Sequence, residues 1–468
     1  MNFSNSLTGN KNFKIRWLTT FFILFVLIVV FFFLKDCILA KSNTKLISGP
    51  MLGYSEHREI LIWLQTNCPR NIKIIFWPKN DTSNKLKKEV FFPNRKQQNC
   101  SRKISKIILE NLEPATEYQY QVLIDNQEQK FNYKLEFKTR KIWEYYSEDR
   151  PEEFNFLLGS CNFMKDPDYD RKGETYGLGT EIFLTMDDFE SDFMIWLGDN
   201  FYFRPSDYSS SSGISYRYSV SRSKKNLQEF FATTNHYAIW DDHDYGPNNS
   251  GKTYFLRDKT RELFLNYWGN KTYGENNQGI YSKFSYADAD FFLLDNRYFR
   301  DETELKESLL AYKTQLGNKQ LNWLKNSLAG SKATFKFIVS GGQILNHNAW
   351  KESFNYYKKE REEIIDFIEQ QKIKGVIFLS GDRHHTELIK NYGLYELTCS
   401  PLGSAPNLRI LETSEKNNKL RVKDTLVLKQ NFCRVKISGQ KSKRKVEFSV
   451  FDRDGRRLWS HSIKEGTF

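Results

Sequence analysis

Val376-Ile377-Phe378-Leu379-Ser380-Gly381-Asp382-Arg383-His384-His385 is the stretch on which the fold of this chain turns. The apolar run predicts a buried strand. Its C-terminal end delivers a carboxylate and two imidazoles into one place. The same layout recurs: Phe154-Asn155-Phe156-Leu157-Leu158 runs into Gly159-Ser160-Cys161, and Phe193-Met194-Ile195-Trp196-Leu197 into Gly198-Asp199-Asn200-Phe201-Tyr202. Tyr237-Ala238-Ile239-Trp240 runs into Asp241-Asp242-His243-Asp244, and Phe291-Phe292-Leu293-Leu294 into Asp295-Asn296-Arg297. In open α/β sheets, sites assemble in the crevice outside the strand C-termini. Five strands ending in Asp, His, Cys, Tyr and Arg make a metal-assisted hydrolase the leading reading.

Outward from these motifs the pattern alternates strand with helix. Phe255 to Trp268 has helical spacing, with Leu263, Phe264 and Tyr267 on one apolar face. Lys358 to Gln371 is a second amphipathic helix. It lies between a strand at Phe335 to Val339 and the strand at Val376, which makes a crossover unit. Ser206 to Ser223, rich in Ser and Tyr and poor in apolar periodicity, reads as a loop over the site. Residues 431–463 return to β and read as a terminal hairpin closing the sheet.

Residues 45–140 read as a separate all-β unit. Glu59 to Leu64 and Ile72 to Trp77 are strands. Leu109-Glu110-Asn111-Leu112-Glu113-Pro114-Ala115-Thr116-Glu117-Tyr118-Gln119-Tyr120-Gln121-Val122 gives a turn and then strict alternation. This resembles the late strand of fibronectin type III domains, in which a tyrosine corner leads into the strand. On that resemblance, Trp63 is the core tryptophan of an early strand.

The N-terminus carries its own signal. Trp17 to Leu34 is an uncharged run preceded by Lys11, Lys14 and Arg16. At about 1.5 Å per residue it is long enough to span a bilayer. The basic flank belongs on the cytoplasmic side, with the rest of the chain outside. Residues 1–41 therefore read as a membrane anchor, with a cleaved signal peptide as the alternative. No twin-arginine pair precedes the apolar run. The net charge of +13 in 468 residues favours anionic partners, phosphate esters among them. No aromatic-interleaved basic repeat argues for specific nucleic-acid binding. Six cysteines include no CxxC, which weighs against a zinc finger. Cys68 and Cys100 share the β unit and form a candidate disulfide.

Hydrolysis of a phosphate ester requires an activated water and positive charge against the phosphoryl oxygens. Two or more metal ions with a bridging carboxylate supply both. Asp199, Asn248, Asp382 and His384 are suitable donors. Cys161 and Tyr202 add thiolate and phenolate, a pair better suited to trivalent iron than to magnesium.

Taken in order, Ser160-Cys161-Asn162-Phe163, Gly198 to Tyr202, Trp240 to Asp244, Leu294 to Arg300 and Ser380 to His384 resemble the motif set of the alkaline phosphatase D (PhoD) family of metallophosphoesterases. The likeness spans about residues 150–410. It implies a calcineurin-like αββα sandwich over residues 150–468, behind the β domain and an N-terminal hydrophobic helix. It implies Fe(3+) held by Cys161, Asp199, Tyr202 and His384. Ca(2+) would share Asp199 and take Asn248 and Asp382. Arg297 and Arg300 would clamp the phosphate, and His243 would contact it or protonate the leaving oxygen. Asp244 stands where the family often has Glu. Asn249 competes with Asn248 as a ligand, and His385 with His384, although the GDxH spacing favours His384.

The expected function is thus an extracytoplasmic phosphoesterase acting on monoesters, diesters or both through a metal-activated water. One rival is a phosphodiesterase for wall polymers or phospholipid head groups. The other is a surface-binding protein with a degenerate enzyme domain, against which the intact donor types at every motif argue.

Overall fold

The structure is a computed structural model that describes residues 44–92, 102–142, 152–170, 176–309, 312–347 and 353–467. The hydrophobic run Trp17 to Leu34 and Cys100 lie outside these residues. No helix among the described residues is long and apolar enough to cross a membrane.

The first lobe comprises β1 (Leu46–Ser55), β2 (Glu59–Thr66), β3 (Asn71–Pro78), β4 (Leu86–Phe91), β5 (Lys103–Glu110), β6 (Glu117–Ile124), β7 (Gln127–Glu128) and β8 (Glu136–Lys138). One layer is β1, β2 and β5; the other is β4, β3 and β6, with β7 and β8 paired to β6. Ile60, Ile62, Ile74, Phe76, Tyr118 and Val122 are buried between them. The tyrosine corner is present, since the Glu113 backbone N–H donates to the Tyr118 hydroxyl at 2.8 Å.

The second lobe holds β9 (Phe154–Gly159), β10 (Phe193–Leu197), β11 (Asn235–Ile239), β12 (Ser282–Tyr286), β13 (Ala289–Leu293), β14 (Phe335–Ser340), β15 (Val376–Ser380), β16 (Glu387–Asn391), β17 (Leu394–Thr398), β18 (Asn431–Ser438), β19 (Lys445–Asp452) and β20 (Arg457–Lys464). A six-stranded sheet runs β12-β13-β14-β15-β17-β16. A nine-stranded sheet runs β20-β19-β18-β9-β10-β11-β1-β2-β5. Strands β9, β10 and β11 are mutually parallel, as are β13, β14, β15 and β17. Both faces of these strands are covered, which is why they read as unbroken apolar runs.

The two sheets meet through aromatic rings. Phe156 meets Phe291 and Phe337 edge to face at 5.2 and 5.5 Å. On the outer face of the nine-stranded sheet, Trp196 packs on Phe183 of helix Ile182–Asp187 and on Trp268. Helices Gly317–Ala329 and Lys358–Gln370 cover the other sheet through Leu321, Leu324, Ile364 and Ile368. The layer order is helix, sheet, sheet, helix.

The nine-stranded sheet includes strands from both lobes, because β1 lies parallel to β11 with Leu52 opposite Asn235. This corrects the reading of Trp63. Along β2, Ile60, Ile62 and Leu64 face the sandwich interior, so Trp63 must point the other way. There it donates to the Asn266 carbonyl at 2.9 Å and packs on Tyr267, both on helix Arg257–Tyr267. It is a seam residue between the lobes. At the same seam Gly53 lies so close to Gly269 that a Cβ on Gly53 would sit 2.9 Å from the Gly269 Cα.

Two further expectations are corrected. Ser211–Arg222 is a helix, not a loop: Ser210 accepts from the Gly213 N–H as its N-cap, and Ile214 and Tyr218 are buried. Its buried face also carries Arg217 and Arg222, which hid the apolar period. The C-terminal hairpin is a three-stranded antiparallel meander, β18-β19-β20, whose first strand pairs with β9.

Candidate metal centre

The C-terminal ends of β9, β10, β11, β13 and β15 open into one crevice, and each contributes a motif. Four of the donor residues adopt left-handed backbone: Cys161 at φ 55°, Asp199 at 51°, Asp382 at 69° and His384 at 52°. Non-glycine residues in this region are strained, and they cluster where a function over-determines the backbone. Gly198, at φ +89°, shows why the turn before Asp199 has no side chain: a Cβ there would lie 2.7 Å from the Asp241 backbone nitrogen.

Cys161 Sγ, an Asp199 carboxylate oxygen and a His384 ring nitrogen all lie within 4.8 Å of one another. Cys161 Sγ is 3.7 Å from Asp199 Oδ2. The Tyr202 hydroxyl lies 3.2 Å from the same oxygen and 3.0 Å from His384 Nε2. His384 Nδ1 faces the Ala405 carbonyl at 2.7 Å, so it carries the proton and Nε2 turns its lone pair inward. His385 points elsewhere: its Nε2 is 3.3 Å from Glu387 and its Nδ1 faces the Arg383 carbonyl. The choice between adjacent histidines falls to His384.

A second group shares Asp199. Ligand atoms of Asp199, Asp242 and His243 also lie within 4.8 Å of one another. The Asn249 N–H donates to Asp242 Oδ2 at 2.8 Å. Asp242 Oδ1 and Asn249 Oδ1 are both buried without a hydrogen bond. Asn248, the expected ligand, is exposed. Asn249 is therefore the better candidate, and the one-residue offset follows from its left-handed turn at φ 62°. Asp382 belongs to neither close group. Its side chain is 13 % exposed. Burial, and then the charge of Asp241, push its carboxyl up to about 7.

Burial is the largest influence on the other donors too. It raises Asp199, reinforced by Asp242 and Cys161, and it raises the Cys161 thiol. The Tyr202 hydroxyl is raised by burial and then by Asp199. Asp242 goes the other way, to about 2: burial opposes ionisation, but His243, Arg297, the Asn249 N–H and Arg300 together outweigh it. The centre thus sets one ionised acid, Asp242, beside buried donors, Asp199, Cys161 and Tyr202, whose charged forms are disfavoured. Thiol, phenol, imidazole and carboxylate on one side, and carboxylate and amide oxygens on the other, are donor sets that could hold metal ions.

Arg297 is fully buried and donates from Nε to Asp241 Oδ1, with Nη2 3.7 Å from Asp242 Oδ1. Arg300 is equally buried, with Nη2 2.7 Å from the Thr303 hydroxyl and its guanidinium over the Tyr357 ring. His243 stacks on Tyr202 at 4.2 Å between ring centroids, and its side chain is partly exposed.

A family model described as PhoD-like phosphatase matches residues 168–442, more than half of the chain. The chain belongs to the PhoD-like phosphatase family. It is thereby a member of a family of phosphoric ester hydrolases. A second model, a domain of unknown function (DUF7800), matches residues 43–142, the β lobe. Alkaline phosphatase D of Bacillus subtilis (strain 168) is 25% identical over 292 residues, which are 51% of this chain and 49% of that protein. The match thus spans about half the length of that relative. A solved structure of PhoD aligns with a TM-score of 0.71 at 17% identity, over 88% of this chain and 92% of that one, a likeness of fold.

Within this PhoD-like site, sequence reasoning missed three residues. Asp242 stood in a quoted motif beside three other acidic or imidazole groups, with nothing local to single it out. Asp244 accepts backbone N–H bonds from Asp199, Asn200 and Asp241 at 3.2, 3.1 and 2.7 Å, and so fastens the β10 turn to the β11 turn. Tyr176 arrives from a distant segment, and its hydroxyl lies 3.1 Å from His384 Nε2.

Proposed function

We propose that this protein is a metal-dependent phosphoesterase that hydrolyses phosphate monoesters, diesters or both. The observation that carries this is the shared carboxylate: Asp199 belongs both to the Cys161/His384 group and to the Asp242/His243 group. Cys161, Asp199, Tyr202 and His384 would hold Fe(3+). Asp199, Asp242 and Asn249, with Asp382 beside them, would hold Ca(2+). When bound, these ions supply Lewis acidity and an activated water.

The chain's own residues do the rest. Arg297 holds Asp241 in place and keeps Asp242 ionised. Arg297 and Arg300 supply positive charge for the transferring phosphoryl group. His243, braced on the Tyr202 ring and partly exposed, gives its proton to the leaving alkoxide. Ala405 fixes the His384 tautomer. The β turns, tied together by Asp244, exclude water from the interior side.

We further propose that the enzyme works outside the cytoplasm, tethered by residues 1–41. The N-terminal apolar run with its basic flank supports this. So does a disulfide between Cys399 and Cys433, since such bonds persist in oxidising compartments. Metal analysis of purified protein, together with turnover of a monoester and a diester, tests the activity. Protein that carries two metals per chain and cleaves neither class would refute it. Fractionation of cells tests the location: activity found only in the cytosol would refute that reading.

A further inference from the structure

Two phenols reach the same imidazole nitrogen. The Tyr202 hydroxyl is 3.0 Å from His384 Nε2 and the Tyr176 hydroxyl is 3.1 Å from it. They differ in position. Tyr202 is 3% exposed, and its hydroxyl also contacts Asp199. Tyr176 is 42% exposed and sits on the solvent side of the donor cluster. Its ring meets Phe163 edge to face at 4.9 Å and Tyr202 at 5.9 Å.

Tyr176 is held by the same segment that orients His384. The Ala405 N–H donates to the Tyr176 carbonyl at 2.7 Å, and the Leu178 N–H donates to Gly403 at 2.7 Å. Gly177 bridges Ser404. The Ala405 carbonyl in turn accepts from His384 Nδ1. One short β bridge therefore fixes both the imidazole and the outer phenol. A phenolic hydroxyl carries a proton it can donate in a hydrogen bond. The Tyr176 hydroxyl faces His384 Nε2 from the open side of the donor cluster.

We propose that Tyr176 is a substrate-binding residue: its ring walls the outer side of the centre and its hydroxyl donates a hydrogen bond to a phosphoryl oxygen bound there. This rests on the site being a metal centre that binds phosphate. The test compares wild type, Tyr176→Phe and Tyr202→Phe as metal-loaded full-length protein, using metal content, thermal melting and calorimetric binding of inorganic phosphate. Tyr176→Phe should keep its metals and melting temperature and bind phosphate about tenfold more weakly, the effect of one hydrogen bond to a charged acceptor. Tyr202→Phe should lose metal. Tyr176→Leu, which also removes the ring wall, should weaken phosphate further. Unchanged phosphate affinity in Tyr176→Phe overturns the proposal. So does metal loss in that variant, which would make Tyr176 a ligand. Wild type that holds no metal, or holds metal and binds no phosphate, sinks the metal-centre reading itself, and this proposal with it.

Discussion

Two buried charged clusters lie side by side, and in only one does every carboxylate meet a guanidinium group. Around Tyr202, Arg204 binds Asp170 at 2.6 and 2.9 Å, and its backbone N–H donates to Asp207 at 2.7 Å. Arg217 binds Asp207 at 2.7 Å and Asp166 at 2.9 Å. Three carboxylates meet two guanidinium groups in close, well-formed pairs. A few residues away, Cys161, Asp199 and Asp242 crowd together with Tyr202, with Asp382 beside them; Arg297 meets Asp241 and Asp242, and Arg383 lies 3.9 Å from Asp382. The first cluster is complete as built and fastens helix Ser211–Arg222 to the loop after β10. The second includes Asp199, a buried acid without such a partner, which supports the proposed metal centre. Buried charge marks a binding site when it is uncompensated, and framework when it is paired.

The hardest attempt to break this contrast is Asp199→Ala. Asp199 belongs to both donor groups, so its loss should abolish turnover by at least about a thousandfold and strip the metals. The metal-free fold should survive, because removing one of several crowded acids relieves repulsion. Turnover, metal content and apo melting temperature check this. A variant with full metal occupancy and near-normal turnover would show that the second cluster is framework too.

Arg217→Ala is the converse. It removes one partner of a paired cluster and leaves Asp207 and Asp166 buried, at a cost of about 3–5 kcal/mol. Denaturant unfolding should show that loss, while metal stoichiometry at saturating metal stays at the wild-type value. Loss of metal with unchanged stability would reverse the roles of the two clusters.

The thiols divide along the same line. Cys161 lies at the uncompensated site, whereas Cys399 and Cys433 are bonded, joining the end of β17 to β18 across the two sheets. Their sequence separation of 34 gives a chain-entropy contribution of about 4 kcal/mol. A Cys399→Ser/Cys433→Ser double variant should lose stability of that order in denaturant titrations and keep its metals. Unchanged stability would mean that the bond does not form in solution.

The sequence showed the crevice because each contributing strand is buried on both faces. Phe193 to Leu197 and Val376 to Ser380 therefore read as pure apolar runs with Gly-Asp at their ends. Cys161, Asp199, Tyr202 and His384 were legible for that reason. What was lost depended on contacts between distant segments. Helix Ser211–Arg222 takes its buried face partly from Arg217 and Arg222, so hydropathy alone missed it. Alternation in β2 was visible, yet which set faced the sandwich depended on β1 joining β11, and Trp63 was assigned to the wrong side. Cysteine spacing does not give connectivity, so Cys399–Cys433 went unseen. Asn249 differs from Asn248 by one left-handed residue. Tyr176 reaches His384 from 208 positions away.

The mildest test uses pH, and it separates the clusters without a mutation. In the metal-free protein Asp199 and Asp382 are raised, by burial first and then by neighbouring acids, Asp382 to about 7. A carboxyl raised in the fold favours its neutral form there. Its stabilising contribution is full below the unfolded value, near 4, and is lost as pH rises through the folded value. Metal-free protein should therefore lose stability between about pH 4 and pH 7 on account of these groups, with a slope of at most about 1.4 kcal/mol per pH unit for each. Bound cations favour the ionised acids, so the metal-loaded protein should show the opposite trend over the same window, gaining stability with pH. Comparing metal-free and metal-loaded unfolding across that range isolates the uncompensated cluster, because the paired Arg204/Arg217 cluster contributes equally to both. Parallel pH profiles for the two forms would mean that the acids at Asp199 and Asp382 are not where the cations bind.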